Sequence, residues 1–460
     1  MEAVRTVVKW LLDAGAPVMM PIVITVFGLV MRQGFGRSFK AGLMTGMGLI
    51  GISTIVSLIT GSMGPAAKAM VDNLHLQFKA LDIGGLAAMT WAVPTSMFII
   101  PLILVVNLIM LALNLTKTFH IDIWNYWHFA FAAAVPYLLT QNVPLSLAIA
   151  VLTAYVTYKL ADWAYPACAD PQTFNIPGIT LAHSGTIAWA PYVYAINKVL
   201  DKIPGVRDWK ATPEDLAKRF GVFGEPSVIG LIMGIVIGAL ARYNLQGILK
   251  LGVTMAAGLI IMPRVISLIV EGLIPLADGI RDYVTQRFPG REIYIGMDAA
   301  LIVGHPTTLA VSYFLVPITL LLAIILPGNG TLPYSMLASI FFPICWAVAP
   351  SKGNVVRTLI GGLFIMAVIL YGTTIVAEYA HEGFKLIGAK LPEGMLATDM
   401  LAGRQFFPWV LVLIMQPLVG KGAMWQLLVG IFILATYFLI WWWVRDEPAR
   451  CAAIDMEAEK

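Results

Sequence analysis

Most of this 460-residue chain is written in blocks of about 20 apolar side chains, and that pattern decides which solvent it folds in. Hydrocarbon offers no water to a stray N–H or C=O, so only helices and closed barrels cross a bilayer. Eleven stretches qualify as helical spans: 15–31, 41–61, 91–114, 125–141, 145–163, 225–241, 248–275, 299–326, 334–350, 355–377 and 424–444. Charged residues make up 12% of the chain, where a soluble domain carries about 25%. Two further apolar stretches, 176–194 and 403–419, are interrupted by Gly, Pro and polar residues and read as re-entrant hairpins. Such backbone survives at membrane depth only when protein or a wet cavity covers it. The expected class is an all-α polytopic membrane protein: about eleven transmembrane helices plus two hairpins.

The chain also repeats itself. Residues 40–72 are echoed at 250–282, an offset of 210, with eleven identities in 33 positions. Lys40/Lys250, Gly42/Gly252, Gly48/Gly258, Ser57/Ser267, Pro65/Pro275 and Asp72/Asp282 are among them. Chance would give roughly three. The echo reaches outward, Gly15-Ala-Pro17 recurring as Gly224-Glu-Pro226 and Pro94-Thr95 as Pro306-Thr307. Duplicated membrane halves are characteristic of transporters, whose substrate site lies between the copies near the midplane.

Lys and Arg in short loops set orientation. With the amino terminus outside, Arg32, Arg37, Lys40, Lys198–Arg219, Arg281–Arg291, Arg445 and Arg450 fall inside. Each copy then holds five spans, so the second is expected to be inverted relative to the first. Trp441-Trp442-Trp443 beside Arg445 reads as an anchor at the inner interface. The amphipathic opening, Met1–Asp13, has no small-residue cleavage site and reads as no signal peptide. The net charge of +4 is small and scattered, which argues against a nucleic-acid partner. Cys168, Cys345 and Cys451 stand apart as apolar fillers. The six histidines lack metal-ligand spacing and no phosphate-cradling loop is present, so neither metal nor cofactor is expected.

Ionisable groups inside spans cost about 2.5–3.5 kcal/mol each and need a reason. The densest run is Asp122-Ile-Trp-Asn125-Tyr-Trp-His128, opening the fourth span; Asp122 sits where an N-cap would, with Asn125 and His128 deeper. Thr180-Leu-Ala-His183-Ser-Gly-Thr186 occupies the first hairpin, where a histidine flanked by Ser and Gly can meet a polyhydroxyl ligand. Glu225 opens the sixth span, a position favourable for an acid in its own right. Gly296-Met-Asp298 leads into Gly304-His305-Pro306-Thr307, which reads as a broken helix facing a cavity. Its counterpart is Thr90-Trp91 with Pro94-Thr95. Asp298, His305, Thr307, Thr90 and Thr95 are expected to converge from opposite sides, with Gln405 of the second hairpin a further candidate.

Taken together, the Asp122–His128 run, Phe223-Gly-Glu-Pro226, Gly296-Met-Asp298, Val303-Gly-His305 and Met262-Pro-Arg-Val265 resemble the galactitol-type IIC permeases of the phosphoenolpyruvate-dependent phosphotransferase system. The likeness runs from Gly15 to about Trp443. It implies a bacterial inner-membrane permease, periplasmic at its amino end and cytoplasmic at its carboxyl end. Such a permease takes up an alditol and releases it phosphorylated, with separate IIA and IIB proteins as partners and a IIB phosphocysteine as donor. The related ascorbate permeases imply a homodimer whose core moves against a scaffold like an elevator. On that pattern 1–90 and 223–292 are scaffold, 91–197 and 293–423 core, 198–222 a cytoplasmic linker, and 424–460 the last span and tail. The implied polyol ligands are Asn125, His128, His183, Asp298, His305 and Thr307, with Trp91 or Trp124 on a carbon face. Glu225, Thr90, Thr95 and Gln405 stand behind them, and His183 or Asp298 is the proton acceptor. Ala182 and Ala299 stand where the family carries proline. A proton-coupled polyol transporter working through Asp298, His305 and Glu225 is the main rival reading; a non-transporting receptor is the third.

Overall fold

The computed structural model describes residues 16–74, 78–205, 211–212, 215, 218–219, 221–287, 290–333, 335–389, 391 and 394–458. The amphipathic opening, together with Arg207 and Lys210, lies outside the described residues. Among these residues six helices are long and apolar enough to cross a membrane: Phe35–Met70, Val143–Ala169, Leu245–Ile280, Pro306–Ile325, Val355–Leu386 and Met424–Ala453. Leu86–Ala92 and Ser96–Ala112, bent by 96° at Val93-Pro94-Thr95, make a seventh if taken as one span. Shorter apolar helices cover Pro17–Val30, Ser227–Leu240, Phe341–Ser351 and Phe406–Leu418.

Several expected spans are therefore not single rods, and proline is the common cause. The stretch 334–350 is a 3₁₀ turn, Ser335–Ser339, followed by Phe341–Ile344, Cys345–Ala347 and Val348–Ser351. Pro343 and Pro350 each remove a helical donor there. The stretch 299–326 divides into Ala300–Val303 and Pro306–Ile325, with Pro306 in the first turn of the second piece, where its missing N–H costs nothing. The hairpin stretches divide in the same way, into Ser184–Ile187 with Ala190–Leu200, and Met400–Arg404 with Phe406–Leu418.

Two long helices form the spine. Phe35–Leu74 has 40 residues and Leu245–Arg287 has 43, about 60 Å each and twice a hydrocarbon core. Glycines let them touch: Gly48 faces Ile269, Gly51 faces Val265, Gly258 faces Ile59 and Gly272 faces Met44. Residue number rises along one helix as it falls along the other, so they run antiparallel. The contact of Gly48 with Ile269 is that of Gly258 with Ile59 exchanged through the 210 offset, which is the self-complementarity of a two-fold relation. Each long helix is entered through a matching turn, with Arg32 and Arg242 both at φ 57°. Gln33 N–H returns to the Gly28 carbonyl at 2.9 Å and Tyr243 N–H to that of Gly238 at 3.0 Å, closing both preceding helices alike.

Among the described residues an all-helical reading misses six short strands: β1 (Ala80–Asp82), β2 (Thr118–His120), β3 (Ile179–Leu181), β4 (Tyr294–Met297), β5 (Thr331–Leu332) and β6 (Leu396–Thr398). Strands of two to four residues are too short to show alternation, so periodicity could not find them. They form two parallel three-stranded sheets, ordered β5-β1-β6 and β2-β4-β3. Each takes its central strand from one half of the chain and both flanking strands from the other. The breaks between helices thereby satisfy one another's backbone groups, which buried irregular chain requires.

Candidate functional site

Asp298 directly follows β4 and His183 lies two residues beyond β3, so the pairing of Leu181 with Met297 carries both side chains to one end of the β2-β4-β3 sheet. His183 Nε2 stands 3.5 Å from Asp298 Oδ1, whose carboxylate also accepts the Ala300 N–H at 3.0 Å. His128, in the first turn of Trp127–Thr140, places Nε2 3.1 Å from His183 Nε2. Its Nδ1 meets the Gln405 amide at 2.6 Å. A continuous row, Asp298–His183–His128–Gln405, thus joins β4, both interrupted hairpin stretches and the fourth expected span. All but Asp298 are buried; the Asp298 side chain is 21% exposed.

The row has two consistent proton arrangements. With the Gln405 amide donating to His128 Nδ1, His128 donates to His183 Nε2, and the His183 proton lies on Nδ1, buried without a partner. Turning the amide over reverses every donor, and His183 Nε2–H is then shared between His128 and Asp298. Either way polar capacity is left over: His183 Nδ1 and Gln405 Oε1 are both buried and unpaired as placed. Unspent buried hydrogen-bonding groups cost about 1–3 kcal/mol each, and a polar ligand is one way to recover that cost.

Beside the row, Asp122 Oδ2 accepts from Asn125 Nδ2 at 2.7 Å. Asp122, Trp124, Met297, Asp298, Ala300 and Leu301 line a cavity of about 20 Å³, room for a water-sized occupant but not for a six-carbon chain. A larger ligand requires these elements to part.

The other candidates are placed differently. Thr90 gives its hydroxyl to the Leu86 carbonyl at 2.7 Å, and Thr307 to that of Gly353 at 2.8 Å. His305 caps its helix, its Nδ1 accepting the Thr307 N–H at 3.2 Å. Thr95, at the bend, has a buried hydroxyl without a partner. Glu225 is exposed at the start of Pro226–Leu240. Thr90 thus gives its hydroxyl to its own helix and Thr307 to the turn at Gly353, and neither hydroxyl is given to Asp298.

The sequence reading passed over Arg404, fully enclosed next to Gln405 with its guanidinium 5.4 Å from the Phe342 ring centre. The cost of an arginine inside the apolar 403–419 stretch was the signal. It also passed over the corresponding corner of the other sheet. There Asp82 accepts the N–H groups of Met336 (2.9 Å) and Met400 (3.3 Å), while Asp399 accepts those of Leu86 (2.9 Å) and Leu401 (2.8 Å).

Comparison with known proteins bears on this geometry. The sequence matches the EIIC-GAT family, described as the sugar-specific permease component of the PTS system, over residues 10–389. It is 37% identical over 437 residues to the PTS system galactitol-specific EIIC component of Escherichia coli strain K12, covering 95% of this chain and 96% of that one. The protein of the same description from Escherichia coli O157:H7 matches equally. A putative permease IIC component of strain K12 is 34% identical over 401 residues, 86% of this chain and 91% of that one.

Proposed function

The chain belongs to the EIIC-GAT family of phosphotransferase-system permease components, and from that premise we propose that it carries galactitol or a closely related alditol across the bacterial inner membrane. It is a multi-pass membrane protein, and its family membership implies IIB and IIA partners. The observation that carries the substrate reading is the Asp298–His183–His128–Gln405 row with its unspent polar atoms. A polyol presents hydroxyls that both donate and accept, which such a row can satisfy in either proton arrangement. Asn125, bonded to Asp122, extends the polar lining, and Trp124 offers a flat apolar face.

The two antiparallel long helices support an inverted arrangement of the copies, with 1–90 and 223–292 as scaffold and 91–197 and 293–423 as moving core. A cavity too small for the alditol supports a working cycle in which the core shifts, elevator-like, to admit it. On the inner side the alditol hydroxyl attacks the phosphorus of the IIB phosphocysteine: an O–P bond forms, the S–P bond breaks and the thiolate leaves on IIB. The hydroxyl proton passes to His183 or Asp298, a step worth about 10²–10⁴-fold for a positioned base. The basic 198–219 and 281–291 segments are the docking surface for IIB, and the working unit is a homodimer with its carboxyl end in the cytoplasm.

Membrane vesicles supplied with labelled galactitol test this. Phosphate ester should form only with IIB and a phosphodonor. Accumulation of unmodified galactitol under a pH gradient alone would instead favour the proton-coupled reading, which the His183–His128 pair makes worth testing.

A further inference from the structure

Arg404 ends the helix Met400–Arg404 and is 3% exposed. Its Nε is buried without a hydrogen-bond partner, and no carboxylate forms an ion pair with it among the described residues. The nearby acids are already engaged: Asp399 holds two backbone N–H groups and Asp298 holds the Ala300 N–H beside His183. Asp298 and Asp399 lie near enough to attract it, but neither meets it directly, and burying a guanidinium with no direct carboxylate partner is costly in a membrane protein. The surroundings nevertheless hold it in place. Its carbonyl accepts from Trp189 Nε1 at 3.1 Å, and its guanidinium lies over the Phe342 ring, which is itself stacked with His183 at 6.1 Å. Gly185, two residues past His183, leaves room for it: a Cβ there would come 3.0 Å from Arg404 Nε and 2.7 Å from Gln405 Nε2.

An alditol carries no charge to answer that guanidinium. A phosphoryl group does, and the planar fork of arginine matches two of its oxygens. We propose that Arg404 is the phosphoryl-binding residue of this site, holding the non-bridging oxygens as the group passes from the partner's phosphothiol to the alditol hydroxyl, and then holding the ester. The inference rests on the phosphotransferase reading above. In the transfer the S–P bond breaks and the O–P bond forms, the thiolate leaves on the partner, and the hydroxyl proton goes to the His183–Asp298 pair. Arg404 neither gives nor takes a proton; it neutralises charge that the lipid-enclosed site otherwise resists.

The test measures binding of galactitol, binding of its phosphate ester, and IIB-dependent ester formation on wild type, Arg404→Gln and Arg404→Lys. Wild type should bind the ester more tightly than galactitol. Arg404→Gln should keep galactitol affinity within about threefold while weakening ester binding about 30-fold, the worth of a charge-assisted bond. It should slow ester formation about 100-fold, as loss of one oxyanion-type donor does. Arg404→Lys should recover part of both losses. If Arg404→Gln does not fold, the wild-type preference for ester and the Lys variant still decide. Galactitol affinity falling in step with ester affinity, or a wild type that binds the ester no better than galactitol, overturns the assignment. Wild type that binds the ester tightly but never forms it with IIB overturns the phosphotransferase reading and leaves an anion site standing.

Discussion

The two three-stranded sheets are built alike, yet their carboxylates are spent differently. At β5-β1-β6, Asp82 and Asp399 are fully buried and each accepts two backbone N–H groups at chain breaks. At β2-β4-β3 the polar groups at the same end are Asp298, one residue past the central strand, and His183, two residues past β3. Asp298 takes one backbone N–H and is left partly exposed, and the cavity opens between it and Trp124. One corner therefore ties the breaks together; the other makes one such bond and keeps the rest of its groups for something else. Real proteins break local rules mainly at functional sites.

The comparison can be broken at either corner. The largest effect is expected for Asp399→Ala, which strands two buried N–H groups and should cost about 3 kcal/mol of stability. Thermal unfolding in detergent reads that loss, and the folded fraction should bind galactitol within about threefold of wild type. Unchanged stability would show that the first corner is not structural.

Asp298→Asn and His183→Ala should reverse the pattern. IIB-dependent uptake should fall about 100-fold, equivalent to about 2.7 kcal/mol, with the unfolding midpoint within about 2 °C of wild type. Near-normal uptake by both would remove the site.

A third, smaller effect sharpens what an ordinary structural carboxylate does. Asp170, just past Val143–Ala169, is bonded by Lys352 Nζ at 2.7 Å and by Thr173. Burial pushes its carboxyl up, but the Lys352 and Thr173 bonds outweigh this and hold it below the usual range. A lowered folded-state value adds stability that is present above the unfolded value, about 3.9, and is lost as pH falls through the folded one. Asp170→Asn should thus cost about 2 kcal/mol at pH 7, and the difference from wild type should fade below about pH 4. A gap that persists in acid would contradict this. Smallest of all, Thr90→Val should leave uptake within about twofold, because that hydroxyl serves only its own helix; a large loss would return Thr90 to the site.

Much of this frame was legible in the sequence, and the misses have physical causes. The echoed glycines at 48 and 258 are contact points between two helices longer than the spans expected at 41–61 and 248–275, and Pro94 and Pro306 marked real breaks. The Asp122–His128 run stood out because polar groups are costly in lipid. Strands of two to four residues carry no readable period, so both sheets were invisible, and with them the corner of Asp82 and Asp399. The hydroxyls of Thr90 and Thr307 each give their bond to a backbone carbonyl, which no sequence pattern shows. Arg404 was visible as a cost, but only the folded chain shows that its Nε is buried without a hydrogen-bond partner.

The most direct test is a structure determined at saturating galactitol. The alditol should lie against Asp298, His183, His128 and Asn125 at the open end of the β2-β4-β3 sheet, with Trp124 drawn aside and Asp82 and Asp399 keeping their backbone bonds. Galactitol seated at the β5-β1-β6 corner, or away from both sheets while the histidine row stays closed, would contradict the account.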